Sequence, residues 1–158
     1  MLRLPYADAP FDGEGAHRYG GRWSSTGTRL SYASEHESLA MLEYFVHLDA
    51  DDPPPDLLLA VADVPDALKR EQIAMSKLPR HWRDTPAPPE LVRYGDEFVQ
   101  HAECCLLLVP SALAPSENNW LINPLHQDFR KITVRETQPL SYDPRLFRRG
   151  HRERRGKS

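Results

Sequence analysis

The chain has 158 residues, 40% hydrophobic and 27% charged, with a formal net charge of −3, the make-up of one soluble domain long enough to bury a core. It holds no run of about 18 apolar residues, and its opening MLRLPYADAP lacks the apolar core of a signal peptide, so neither a membrane span nor a secretory leader is expected. The two cysteines, Cys104 and Cys105, are adjacent; they lack zinc spacing and read as buried thiols of a reducing, cytoplasmic compartment.

In chain order, the first 25 residues read as loop and turn, punctuated by Gly13, Gly15, Gly20 and Gly21. TRLSYAS, with Leu30 and Tyr32 alternating against polar residues, predicts a short strand. It runs into SEHESLAMLEYFVHL, where Ser34 and Glu37 have capping-box spacing and predict a helix start. Leu39, Leu42 and Val46 predict an apolar stripe on that helix. Glu43 lies at the edge of the stripe, with His47 one turn beyond.

The acidic, proline-rich DADDPPPD breaks the chain, and LLLAVADVP from Leu57 then reads as a buried strand. The stretch through LPRHWRDTPAPP reads as irregular. PELVRYGDEFVQHA, with Leu91, Tyr94 and Phe98 at helical spacing behind a proline, predicts a second helix. CCLLLVPSA predicts a core strand, ENNWLINPLHQDF a loop or short strand ending in a turn at Asn123-Pro124, and ITVRETQPLSY a last alternating strand. About five strands and two helices predict a compact single α+β domain, a mixed β-sheet core with flanking helices.

Residues 1–142 form this domain, and residues 143–158 are expected to be a flexible basic tail. From Arg145 the tail carries six Arg and one Lys against Glu153, a net of +6, which leaves the rest of the chain at −9. Such a tail can contact nucleic acid or simply fray into solvent.

Several residues carry potential chemistry. Arg22, beside Gly20 and Gly21, is built to clamp an anion; spacing alone favours a surface Arg stacked on Trp23 or paired with a carboxylate. Glu43, bordering an apolar stripe, can act as a base or stabilise a cationic transition state, or can reach solvent or pair with His47. Ser111 ends a core strand, where a hydroxyl can bond a ligand or serve a turn. Asn119 and Asn123, near Trp120, can hold a flat polar ring or form an everyday turn. Tyr32 can stack on a ring or fill the core. The seven histidines show no metal-ligand spacing, and neither a dinucleotide nor a P-loop glycine motif is present.

Taken together, FDGEGAHRYGGRWSSTGTRLSYAS, ESLAMLEYFVHL, LPRHWRDTPAPP and LLVPSALAPSENNWLINPLHQDF resemble, in order and spacing, the motifs of the RES-domain family, named for an Arg, a Glu and a Ser. Those three fall at Arg22, Glu43 and Ser111; the basic tail lies outside the resemblance. The resemblance implies a fold like the diphtheria-toxin type of ADP-ribosyltransferase and a toxin that depletes NAD⁺. NAD⁺ would be substrate rather than cofactor, cleaved at the nicotinamide–ribose bond by water or by inorganic phosphate, with no metal. Protein ADP-ribosylation is the alternative. Glu43 would stabilise the oxocarbenium-like ribose and Arg22 would hold the pyrophosphate or phosphate. Tyr32 would stack on nicotinamide, Ser111 would bond ribose or phosphate, and Gly21, Trp23, His47, Asn119 and Asn123 would complete the substrate site. The implied partner is an Xre-type helix-turn-helix antitoxin, forming a hetero-oligomer that reaches promoter DNA only through the antitoxin.

Overall fold

The computed structural model describes residues 1–49 and 52–147. Two sheets form a mixed α+β domain. The first has strand order β1–β3–β7, from Leu2–Arg3, Leu57–Asp63 and Thr133–Pro139, all antiparallel. The second has order β2–β6–β5–β4, from Ser31–Ser34, Asn118–Ile122, Leu106–Pro110 and Arg70–Gln72. Among the described residues only the β4–β5 pairing is parallel.

β5 lies inside the second sheet, so its run Leu106-Leu107-Leu108-Val109-Pro110 is buried throughout. Its faces serve different clusters, as strand alternation requires. Leu107 and Val109 pack with Trp23, Leu30, Leu91 and Phe98, whereas Leu106 packs with Cys105, Leu68 and Ile122.

Among the described residues three α-helices flank the sheets. α1 (Glu14–Tyr19) contradicts the expected loop: Asp12 Oδ1 accepts from the Glu14 N–H at 2.9 Å, and Glu14 bridges Arg18 and Arg29. Only Ala16 of this helix is buried, so no apolar stripe announces it. It stops at Gly20, whose φ of +68° a side chain would strain.

α2 (Glu37–Phe45) starts later than the capping box implied. Ser34 ends β2 and donates its hydroxyl to Asn119 Oδ1 at 2.7 Å, so it caps nothing, and extended His36 is the N-cap without a side-chain bond. The expected stripe fails too, for Leu39 is buried but Leu42 and Val46 are exposed. The helix instead turns Ala40 and Glu43 toward a cavity that His47 borders just past its end. β4, within the stretch read as irregular, is fully exposed and is held by pairing with β5.

α3 (Val92–His101) follows a 3₁₀ turn at Pro89–Leu91; of the predicted stripe Phe98 is buried in the helix, Leu91 is buried in the turn and Tyr94 is half-buried, while Gly95 is buried as well. Its Asp96 Oδ1 accepts from the Ser25 N–H (3.0 Å) and the Thr28 hydroxyl (2.7 Å). Burial pushes this carboxyl up, yet the Ser25 and Thr28 donors together hold it below the ordinary Asp value. A carboxyl depressed in the fold contributes stability that is present above its unfolded pKa and lost as pH falls through the folded one. The thermal-midpoint gap between wild type and Asp96→Ala should therefore be widest near neutral pH and shrink below about pH 4. A gap that stays constant from neutral to acid pH in calorimetry would refute this account of Asp96.

Beyond Tyr142 the chain continues into a 3₁₀ turn at Pro144–Phe147, where Phe147 packs on Phe45 and Tyr142. The rest of the expected basic tail, from Arg148, lies outside the described residues. Among the described residues no helix is long and apolar enough to cross a membrane.

Candidate active site

A cleft of about 1040 Å³ opens between the turn that follows α1, strand β2 and helix α2. This is the upper end of the roughly 300–1,000 Å³ range of small-molecule sites. Arg22, Tyr32, Glu43, His47 and Asn119 all line it.

Arg22 comes from a tight turn closed by the Gly21–Ser24 bridge, in which the Gly21 N–H donates to Ser24 O at 2.9 Å. Its neighbour Trp23 anchors the turn in the core, 6.2 Å edge-on to Tyr94 and 6.5 Å from Trp82. The Trp23–Trp82 contact brings the 82–84 segment beside the turn. Arg22 then donates Nη1–H to Trp82 O (2.8 Å) and Nη2–H to Asp84 O (3.2 Å). Both acceptors are neutral carbonyls, so the guanidinium is oriented while its charge stays unneutralised. No carboxylate among the described residues forms an ion pair with it. A fixed, uncompensated guanidinium in a cleft has the chemistry to clamp an anion.

Glu43 arrives from α2, and the second sheet supplies its partners. The β2–β6 register sets Ser34 opposite Asn119. Asn119, oriented by the Ser34 hydroxyl, donates Nδ2–H to Glu43 Oε1 at 2.5 Å. Ser111, just past β5, donates its hydroxyl to the same oxygen at 2.7 Å. Both bonds fall on Oε1, and Oε2 takes none from the described residues. The result is a carboxylate held by two neutral donors with one oxygen left over, suited to face developing positive charge.

Ser111 itself cannot bond a ligand as expected. It is 0% exposed, and its hydroxyl, while donating to Glu43, accepts from the N–H groups of Leu113 (3.1 Å) and Ala114 (2.9 Å). All its hydrogen-bonding capacity is thereby used. Two further expectations are corrected. Although Trp23 borders the cavity, its indole is 2% exposed and is core rather than substrate wall. Asn123, 1% exposed, lies outside the cavity lining; its Oδ1 accepts from the Leu125 N–H at 3.0 Å and shapes the turn at Pro124.

Gly21 lines the cavity, and His47 reaches it just past the end of α2, where its ring takes no hydrogen bond from the described residues. Tyr32 presents its ring to the cavity while its hydroxyl is turned inward; burial pushes the phenol up. Sequence reasoning missed Ser34 and the carbonyls of Trp82 and Asp84. Ser34 acts through strand register, and carbonyls leave no side-chain signal at all. Among the described residues no group of three or more His, Cys, Asp or Glu is placed to hold a metal ion.

The chain as a whole is similar to known proteins. The RES domain matches residues 2–143. A "Prs ADP-ribosylating toxin" of Sphingobium sp. (strain YBL2) is 36% identical over 146 residues, covering 91% of both chains. "Toxin Res" of Pseudomonas putida is 38% identical over 145 residues, covering 90% of this chain and 94% of that one. "Toxin Res" of Yersinia enterocolitica is 36% identical over 143 residues, covering 89% and 93%. In fold, the chain is similar to a chain in the crystal structure of the M. tuberculosis MbcT–MbcA toxin–antitoxin complex. That match has a TM-score of 0.66 at 19% identity, covering 85% of this chain and 78% of that one.

Proposed function

The chain belongs to the RES domain family, and from that premise we propose that it is the toxin of a toxin–antitoxin pair and cleaves the nicotinamide–ribose bond of NAD⁺. The observation that carries the reading is the pairing, in one cleft, of a guanidinium without a carboxylate partner and a carboxylate with one unengaged oxygen. NAD⁺ offers the matching charges. Its pyrophosphate is anionic, and its nicotinamide-bearing ribose becomes cationic as the glycosidic bond breaks.

In this reading Arg22 grips a phosphate oxygen bidentately, while the Tyr32 ring forms a wall for the nicotinamide. The C1′–N bond breaks with its electron pair going to the pyridinium nitrogen, so nicotinamide leaves neutral. The positive charge moves to the ribose ring, where Glu43 stabilises it. Water attacking C1′ gives ADP-ribose, and inorganic phosphate gives ADP-ribose 1″-phosphate; each releases one proton. Ser111, Asn119 and, through Asn119, Ser34 hold Glu43 in place. The two thiols are free and buried, and the proposed place of action is the cytoplasm.

The relatives' names and the toxin–antitoxin neighbour support an antitoxin partner. The proposal extends to an Xre-type helix-turn-helix antitoxin through which any promoter DNA would be met. Purified protein incubated with NAD⁺, with and without inorganic phosphate, should yield nicotinamide and one of the two products by mass spectrometry. NAD⁺ left intact by antitoxin-free protein would overturn the reading. A second reading, transfer of ADP-ribose to a protein, is favoured by the name of the Sphingobium relative. Label from adenine-tritiated NAD⁺ fixed on a macromolecule, with little free product, would select it.

A further inference from the structure

We propose that the Tyr32 hydroxyl is a positioning group that locks the Arg22 turn, separately from any contact of the Tyr32 ring with substrate. The inference rests on the reading of Arg22 as the anion clamp. The phenol oxygen accepts from the Trp23 N–H at 3.1 Å and shares a hydrogen bond with the Ser24 hydroxyl at 3.0 Å. On the other flank of Arg22, a Cβ built on Gly21 would lie 2.6 Å from that oxygen and 2.9 Å from the ring carbon that bears it. Only a residue without a side chain lets the ring so close. The phenol thus touches the residue before Arg22, the residue after it and the next one.

Arg22 is consequently held at both ends of its side chain. Tyr32 fixes the backbone from which it springs, and the Trp82 and Asp84 carbonyls fix the guanidinium. The hydroxyl faces a turn in which Trp23 and Ser24 are 2% and 1% exposed. It makes both its bonds to protein there, while Tyr32 also borders the cavity. Phenylalanine at this position would keep the ring and leave the Trp23 N–H without its acceptor in a buried place.

A double-mutant cycle tests the idea. The affinity of ADP-ribose is measured by calorimetry for wild type, Tyr32→Phe, Arg22→Ala and the double variant. If the hydroxyl acts through Arg22, Tyr32→Phe should weaken binding about tenfold in the wild-type background and less than about twofold in the Arg22→Ala background. Equal losses in both backgrounds, or unchanged binding in the single variant, would overturn it. Amide hydrogen exchange of Trp23 supplies a readout independent of any ligand. Its protection should fall in Tyr32→Phe while that of β5 holds, and unchanged Trp23 protection also overturns the lock. Wild-type protein that fails to bind ADP-ribose would instead count against the NAD⁺ reading, leaving the exchange result to decide the lock.

Discussion

Replacing Glu43 by Gln should lower the rate of NAD⁺ cleavage by about 10² to 10³, equivalent to roughly 2.7–4 kcal/mol of transition-state stabilisation, while leaving the thermal midpoint close to wild type. The size follows from what the substitution keeps. Gln has the shape of Glu and a carbonyl oxygen that can still accept from Ser111 and Asn119, the two donors on Oε1. It loses only the negative charge and places an amide where Oε2 was free. Asn119→Asp should show the same logic from the other side. It keeps the volume of the amide but sets an acceptor 2.5 Å from an acceptor, so Glu43 must turn away or share a proton, and turnover should fall by about 10² although this residue's role is to hold Glu43. Rates are read by nicotinamide release at saturating NAD⁺. A Glu43→Gln protein with more than about a tenth of wild-type turnover would remove Glu43 from the chemistry. A collapsed melting curve would show that the carboxylate serves the fold.

How far such a site can be read from sequence depends on which contacts are local. β5 and β3 were legible because continuous apolar runs are what interior strands need, and α3 because Leu91, Tyr94 and Phe98 repeat at helical spacing. α1 and β4 were not, since one buried Ala16 makes no stripe and an exposed REQ strand exists only through its neighbour. Arg22 and Glu43 stood out by residue type and by the family's motif order. Their supports did not, because the β2–β6 register brings Ser34 to Asn119 across 85 residues and a core contact brings the Trp82 and Asp84 carbonyls to Arg22. The same blindness misassigned Trp23 and Asn123. An indole or amide near a site in sequence looks alike whether it points into the cleft or into the core.

The second large effect is expected at Gly95, outside the lining of the cleft. Its N–H donates to Trp23 O at 3.0 Å, and a Cβ there would sit 2.1 Å from that same oxygen, with Leu30 Cδ2 at 2.9 Å and the Trp23 carbonyl carbon at 3.1 Å. The obstacle is backbone, so no rotamer change relieves it. Alanine would gain about 1 kcal/mol of helix propensity, which the overlap outweighs. Helix α3 must back away from the turn, which breaks the Gly95–Trp23 bond, stretches the Asp96 bonds to Ser25 and Thr28, and loosens the Trp23–Tyr94 contact. Gly95→Ala should therefore cost about 3–5 kcal/mol and lower the thermal midpoint by roughly 10–15 °C. Gly15→Ala in α1, where a Cβ meets nothing within 4 Å, is the matched control and should melt at or slightly above wild type. Equal midpoints for the two variants in calorimetry would show that α3 does not press on the turn. Because that turn carries Arg22, the Gly95 variant should also lose ADP-ribose affinity at a temperature where it is still folded. The clamp is held on one side by a phenol and on the other by a helix with no room for a methyl group.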